Sequence, residues 1–257
     1  MPTSSSNRPI HIVILAAGKG TRMGTPNRAK VLTPLAQRPL LDYVLHTADA
    51  MQPASVTVVV GYQREAVEHF VATTHPSARC VVQEQQLGTG HAVQQARPLL
   101  ADSQGDILIL SGDVPLLSHA TLTDLVDRHV GSGATLSMIT TSLSNPHGYG
   151  RIVRDEGGTV QRIVEQKDAT PSEQAINEVN AGIYIANGAA LFEALDGVSN
   201  ANAQGEYYLT DVVGILLSRG QRVEAVITPH SNEVHGVNSP DDLAAAEQFL
   251  AAAAITQ

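Results

Sequence analysis

Residues 15–24 read Leu-Ala-Ala-Gly-Lys-Gly-Thr-Arg-Met-Gly, directly after a short apolar run. Glycines in such a loop let backbone N–H groups approach phosphate oxygens, and Lys19, Arg22 and the later Lys30 supply positive charge. Two common phosphate-binding patterns do not fit. The dinucleotide fingerprint needs a small residue where Met23 stands and an acidic one where Gly61-Tyr62 stands. A P-loop needs Gly-Lys-Ser/Thr, and neither Gly20 nor Gly24 is followed by Lys. What remains is a glycine loop with cations, which alone is equally readable as a turn with solvated charges.

Other segments add oxygen and amide donors. Asp113 lies just past the apolar run 106–110, where a carboxylate is a natural Mg²⁺ ligand, because that ion takes hard oxygens and shares its shell with substrate phosphates and water. The bland reading is a turn-capping Asp. Asn238 offers a second oxygen just ahead of the last helical stretch. In the polar segment Gln83-Glu-Gln-Gln-Leu-Gly88-Thr89-Gly-His-Ala92, amides such as Gln83 can match the edge of a base, and bare backbone at Gly88 permits close approach. The ten histidines form neither H-E-x-x-H nor a tight zinc spacing, and no G-x-S-x-G elbow is present.

These residues need elements to hold them. The runs 11–15, 56–60 and 106–110 are nearly continuous β-branched or leucine stretches, as expected of parallel strands covered on both faces. Helical patterns at 40–51, 63–72 and 89–100 separate them; Leu41, Val44, Leu45 and Ala48 share one stripe, and Ala92, Val93 and Ala96 another. The alternation predicts a doubly wound, mainly parallel α/β sheet with right-handed crossovers, whose carboxyl edge presents a ligand crevice. After a helix near 120–130 come strand-like pieces at 135–141, 151–154, 160–165 and 179–186, predicting a smaller mixed-sheet region. Helices follow at 189–195 and 207–219, then a strand at 222–227. Ser239, Pro240, Asp241 and Asp242 mark a helix start. Residues 1–9 read as a loose tail and 10–257 as a single domain, with parts over 10–130 and 131–230 and a C-terminal helix over 238–257.

Composition limits the partners. The 257 residues are 43% hydrophobic and 16% charged, with a net charge of −9, which argues against tracking a nucleic-acid backbone but leaves room for a few cations facing a small anionic ligand. A single cysteine, Cys80, excludes an intramolecular disulfide, reads as core, and fits a cytoplasmic location. No apolar run reaches the ~18 residues of a spanning helix, so no membrane association is expected.

Taken in order, LAAGKGTRM at 15–23, EQQLGTGHAVQQA at 84–96, SGDVPL at 111–116, GYGRIV at 148–153, IVEQKDAT at 163–170 and AQGEYYLTD at 203–211 resemble the sugar-1-phosphate nucleotidyltransferases. Within them the set is most similar to the uridyltransferase domain of bacterial bifunctional enzymes that make UDP-N-acetylglucosamine, a cell-wall precursor. The resemblance implies a Rossmann-like nucleotidyltransferase fold with a nucleotide-binding half over 10–130 and a sugar-binding half over 131–230, and Mg²⁺-dependent transfer of UMP from UTP to N-acetylglucosamine 1-phosphate. It implies that Leu15, Ala16, Ala17 and Gly18 hold the substrates through backbone atoms, that Arg22 and Lys30 face the triphosphate, and that Gln83, Gly88 and Thr89 read uracil. Asp113 and Asn238 would bind Mg²⁺, Gly150, Glu165 and Asn180 the amino sugar, and Lys167 a further phosphate. Ala29 stands where the family usually has Pro, and the loop before Lys30 is one residue longer. Hexapeptide repeats of the family's acetyltransferase part are not found in this sequence, so that activity is not expected. Rival readings are a nucleotidyltransferase using another NTP or another sugar or alcohol phosphate, and a nucleotide-sugar sensor without turnover.

Overall fold

The computed structural model describes residues 8–24 and 27–255; of the tail expected over 1–9, residues 1–7 lie outside that range. In chain order the strands are β1 (Ile10–Ala16), β2 (Pro34–Leu35), β3 (Arg38–Pro39), β4 (Ser55–Val60), β5 (Arg79–Val82), β6 (Asp106–Ser111), β7 (Leu136–Ser142), β8 (Arg151–Arg154), β9 (Val160–Val164), β10 (Glu178–Asn187) and β11 (Val223–Ile227). The helices are α1 (Leu40–Ala50), α2 (Arg64–Thr74), α3 (Thr89–Gln94), α4 (Arg97–Leu100), α5 (His119–Ser132), α6 (Pro171–Gln174), α7 (Gly188–Leu195), α8 (Asp211–Ser218) and α9 (Pro240–Ile255).

Among the described residues one nine-stranded sheet runs β11-β7-β10-β6-β1-β4-β5, with β8 branching from β10 and β9 from β8; β2 and β3 form a separate hairpin. β5, β4, β1 and β6 pair in parallel. β10 runs antiparallel between β6 and β7, and β11 rejoins in parallel. The expected doubly wound sheet with a mixed extension is therefore the observed one.

The side-chain alternation of the central strands explains both faces. Ile12, Ile14, Val58, Leu108 and Leu110 point to one side, where Leu41, Val44, Leu45 and Ala48 of α1 and Val67 and Val71 of α2 cover them. Val13, Val59, Ile107 and Ile109 point to the other, against Ala92, Val93 and Ala96, Leu191 and Leu195 of α7, and Val212 and Leu216 of α8. Burial on both faces is why these strands carry unbroken apolar runs.

Two helices differ from the sequence reading. The stretch 89–100 breaks into α3 and α4, because Pro98 sits in the first turn of α4 and cannot supply an interior N–H. The helix expected from Tyr207 starts only at Asp211, because the Tyr207 carbonyl accepts from Gly90 N–H at 2.8 Å while Asp211 N–H donates to Tyr208 O at 3.3 Å and not back to Tyr207. Cys80, expected in the core, is half-buried at its edge, and burial pushes its thiol up to about 11, so it stays protonated.

Candidate active site

The β1 and β6 strands end side by side: Leu15 pairs with Ser111, and Gly112 N–H donates to Leu15 O at 2.9 Å. The glycine loop and Asp113 thus leave the sheet at one edge, as parallel pairing requires. Because β10 is antiparallel, its beginning, with Asn180, arrives at that edge too.

Asn238 reaches Asp113 through the backbone: Val237 N–H donates to Asp113 O at 2.8 Å. The start of α9 then fixes Asn238. Asp242 Oδ2 accepts from the N–H groups of Asn238 and Ser239, both at 2.9 Å, while Asp242 N–H donates to Ser239 Oγ at 3.2 Å. Asn238 Nδ2 donates to Gly236 O at 3.1 Å, and since a carbonyl only accepts, Oδ1 must face the other way. There it accepts from Lys30 Nζ at 2.9 Å and from Arg22 Nη2 at 3.1 Å. The same Lys30 ammonium donates to Asp113 Oδ2.

The stem of Lys30 lies against Gly20, where φ is +60° and an added Cβ would come within 2.4 Å of Lys30 Cβ. Gly20 is therefore required twice, for its left-handed backbone and for the space it leaves. Thr25 and Pro26, in the loop ahead of Lys30, lie outside the described residues.

A cleft of about 600 Å³ opens from this point, lined among others by Leu15, Ala16, Ala17, Gly18, Lys19, Lys30, Gln83, Gly88, Thr89, Ser111 and Asp113. Its far wall is the loop from Gln83 to Thr89. At Gly88 φ is +108°, and a Cβ would meet Tyr207 O at 2.6 Å. Gly90 N–H donates to Tyr207 O at 2.8 Å, which with the bonds from Tyr207 N–H to Leu87 O (2.7 Å) and from Leu209 N–H to Thr89 Oγ1 (3.0 Å) clamps the loop against residues 207–209. The sequence reading attached no role to Tyr207 or Leu209, although both stand in the AQGEYYLTD segment; Ser111, Gln86 and Glu206 are further wall residues it did not single out.

Gly150, Glu165 and Asn180 form a neighbouring cluster. Asn180 N–H donates to Gly150 O at 2.9 Å, and a Cβ on Gly150 would lie 3.4 Å from Glu165 Oε1. Arg151, 1% exposed, shapes this loop by donating to Tyr149 O and to Gln166 Oε1 (2.6 Å). Burial raises the Glu165 pKa above the carboxylate range; the Thr210 hydroxyl at 3.0 Å opposes the shift, and the Asp211, Asp168 and Glu206 carboxylates reinforce it. Lys167 is exposed on the turn after β9. Thr210 links the two groups, since Leu209 before it holds Thr89.

Among the described residues no three His, Cys, Asp or Glu side chains converge as a metal cage. A Mg²⁺ site sharing its shell with water and substrate oxygens needs no such cage. One carboxylate and one amide oxygen, both turned onto a single ammonium, form a donor set that suits a hard cation.

Comparison with known proteins accords with this geometry. The bifunctional protein GlmU of Pelobacter propionicus is 47% identical over 93% of this chain and 51% of its own length. That of Paraburkholderia xenovorans is 50% identical over 93% and 52%, and that of Desulfotalea psychrophila 44% identical over 94% and 70%. The chain thus spans about half the length of most of these curated relatives. Residues 11–251 match the nucleotidyl transferase family, and with a glycine loop, a carboxylate and an amide gathered at one sheet edge, the chain belongs to that family.

Proposed function

We propose that this chain transfers UMP from UTP to N-acetylglucosamine 1-phosphate, giving UDP-N-acetylglucosamine and pyrophosphate. The observation that carries the reading is the meeting of Asp113, Asn238, Lys30 and Arg22 at the mouth of the glycine-loop cleft. The attacking sugar-phosphate oxygen is already an anion at neutral pH, so no general base is required. The barrier lies in bringing two polyanions together in line.

The chain's own groups meet that need. Backbone N–H groups along 15–18 cradle phosphate oxygens, and Arg22 and Lys30 stabilise charge on the departing pyrophosphate. Gln83, Gly88 and Thr89 hold the base, while Gly150, Glu165 and Asn180 hold the amino sugar beside it. Asp113 and Asn238 would hold Mg²⁺, which when bound neutralises phosphate charge. The reading divides the chain into a nucleotide-binding half over 10–130, a sugar-binding half over 131–230 and a closing C-terminal helix. On this reading the site serves small anionic substrates in the cytoplasm, with neither nucleic acid nor membrane as partner.

The test is pyrophosphate release across the four NTPs and several sugar 1-phosphates, with and without Mg²⁺. Turnover confined to UTP with N-acetylglucosamine 1-phosphate, and lost without the metal, is expected. Preference for another NTP, or tight UDP-sugar binding without any turnover, would overturn the assignment.

A further inference from the structure

Gln83 is 3% exposed, yet it lines the cleft. Its Nε2 lies 3.0 Å from Gly88 O and 3.0 Å from His91 Nδ1. A backbone carbonyl only accepts, so the end of the amide facing Gly88 must be the –NH₂ end. Its two hydrogens are then both used, one on Gly88 O and one on His91 Nδ1. Oε1 is the one polar atom of the amide that no described residue engages.

This arrangement fixes the state of His91. Its Nε2 lies 3.2 Å from Gln95 Nε2, a nitrogen that also donates to His91 O at 2.9 Å. Both ring nitrogens therefore face donors, and a neutral imidazole accepts at only one. The buried contact decides which. Gln83 is 3% exposed and pinned by the Gly88 carbonyl, whereas Gln95 is half-buried and keeps its bond to His91 O. So Nδ1 holds the lone pair and Nε2 the proton. Burial of the ring favours the uncharged form.

We propose that His91 is a positioning residue for base selectivity: by accepting from Gln83, it holds the Gln83 amide with its oxygen towards the nucleotide. An outward oxygen accepts from the N3–H of a uracil. Cytosine, whose N3 carries a lone pair, meets it acceptor against acceptor. Turned over, the same amide would invert the preference, but its oxygen would then oppose both Gly88 O and His91 Nδ1. The inference rests on the uridylyl-transfer reading for its substrate, and on the hydrogen-bond geometry alone for its lock.

Two measurements test it separately. In nucleotide-free protein, ¹⁵N shifts of the His91 ring should report a proton on Nε2; a proton on Nδ1 would overturn the lock whatever the substrate. The second measurement is the ratio of kcat/KM for UTP over CTP in the parent, His91→Leu and His91→Asn. The leucine variant loses the acceptor, and the ratio should fall on the order of tenfold, as for one buried amide hydrogen left unmade. The loss should appear mainly in KM, with kcat kept within a few-fold. Asparagine restores an oxygen near the Nδ1 position and should recover most of the ratio. An unchanged ratio in His91→Leu, or equal losses for both nucleotides that asparagine does not rescue, would overturn the proposal and leave His91 a packing residue. A parent that does not favour UTP over CTP, with the proton found on Nε2, would count against the uridylyl-transfer reading instead.

Discussion

Lys30 Nζ donates to Asp113 Oδ2 and to Asn238 Oδ1 at the same time, so one ammonium joins two oxygens that the chain brings from distant segments. Asn238 is oriented by the Gly236 carbonyl and the cap of α9, while Val237 N–H, bonded to the Asp113 carbonyl, fixes the backbone that carries the carboxylate. A cation is thus already favoured between them, and the lysine occupies that place.

Asp113→Ala should lower turnover by roughly three orders of magnitude, the scale of losing a preorganised electrostatic group in a closed site. The fold should persist, because the side chain bonds to Lys30 whereas the structural tie to Val237 uses the Asp113 backbone. Pyrophosphate release beside a thermal melt checks both halves. Near-normal Mg²⁺-dependent turnover in the variant would remove Asp113 from the mechanism.

Lys30→Met keeps the stem that packs on Gly20 and deletes the charge. Turnover should fall on the order of a hundredfold, as when one charge-stabilising donor is lost. In nucleotide-free protein the same variant should bind Mn²⁺ more tightly, because the ammonium no longer competes for the Asp113 and Asn238 oxygens. Titration of free Mn²⁺ by paramagnetic resonance reads this directly. Weaker metal binding would mean that the lysine helps to build the cation site and does not compete for it.

Gly88→Ala introduces two conflicts at once. The residue sits at φ +108°, where side chains are strained, and the new Cβ would lie 2.6 Å from Tyr207 O, a backbone atom held by Gly90 N–H. Stability should drop by roughly 1–3 kcal/mol. The nucleotide KM should rise more than kcat falls, since the wall of the cleft must shift. Urea unfolding and steady-state kinetics separate the two effects.

What the amino-acid sequence made readable follows from physics. Strands buried on both faces must be apolar throughout, so β1, β4 and β6 stand out, and with them the edge at which residues 15–18 and Asp113 emerge. The Ser239–Asp242 cap is equally plain, because capping is local. That Val237 pairs with the Asp113 backbone is a long-range contact, and no local pattern announces it. Tyr207 and Leu209 look helical because the periodicity continues through them; the Tyr207 carbonyl is taken by Gly90 N–H, a tertiary demand that overrides helix propensity. The break before α4 did have a signal, Pro98, which a stricter reading of proline placement would have used.

Glu165 carries a stability cost that should be visible as a pH dependence. Burial raises its folded pKa above the unfolded value, with the Thr210 hydroxyl opposing and the Asp211, Asp168 and Glu206 carboxylates adding to the shift. A carboxyl of this kind binds its proton more tightly in the folded chain. Its stabilising contribution is therefore fully present below the unfolded pKa and lost as pH rises through the folded one. Glu165→Gln removes that loss while keeping an oxygen for Thr210. Relative to the parent, the variant should gain melting temperature on going from about pH 4 to about pH 8, across the range in which carboxyl groups ionise. Its KM for the sugar 1-phosphate should rise, because a carboxylate is the stronger acceptor for sugar hydroxyl or amide hydrogens. Parallel melting curves for the two proteins across that range would show that Glu165 ionises without cost, and that the surrounding carboxylates do not reach it.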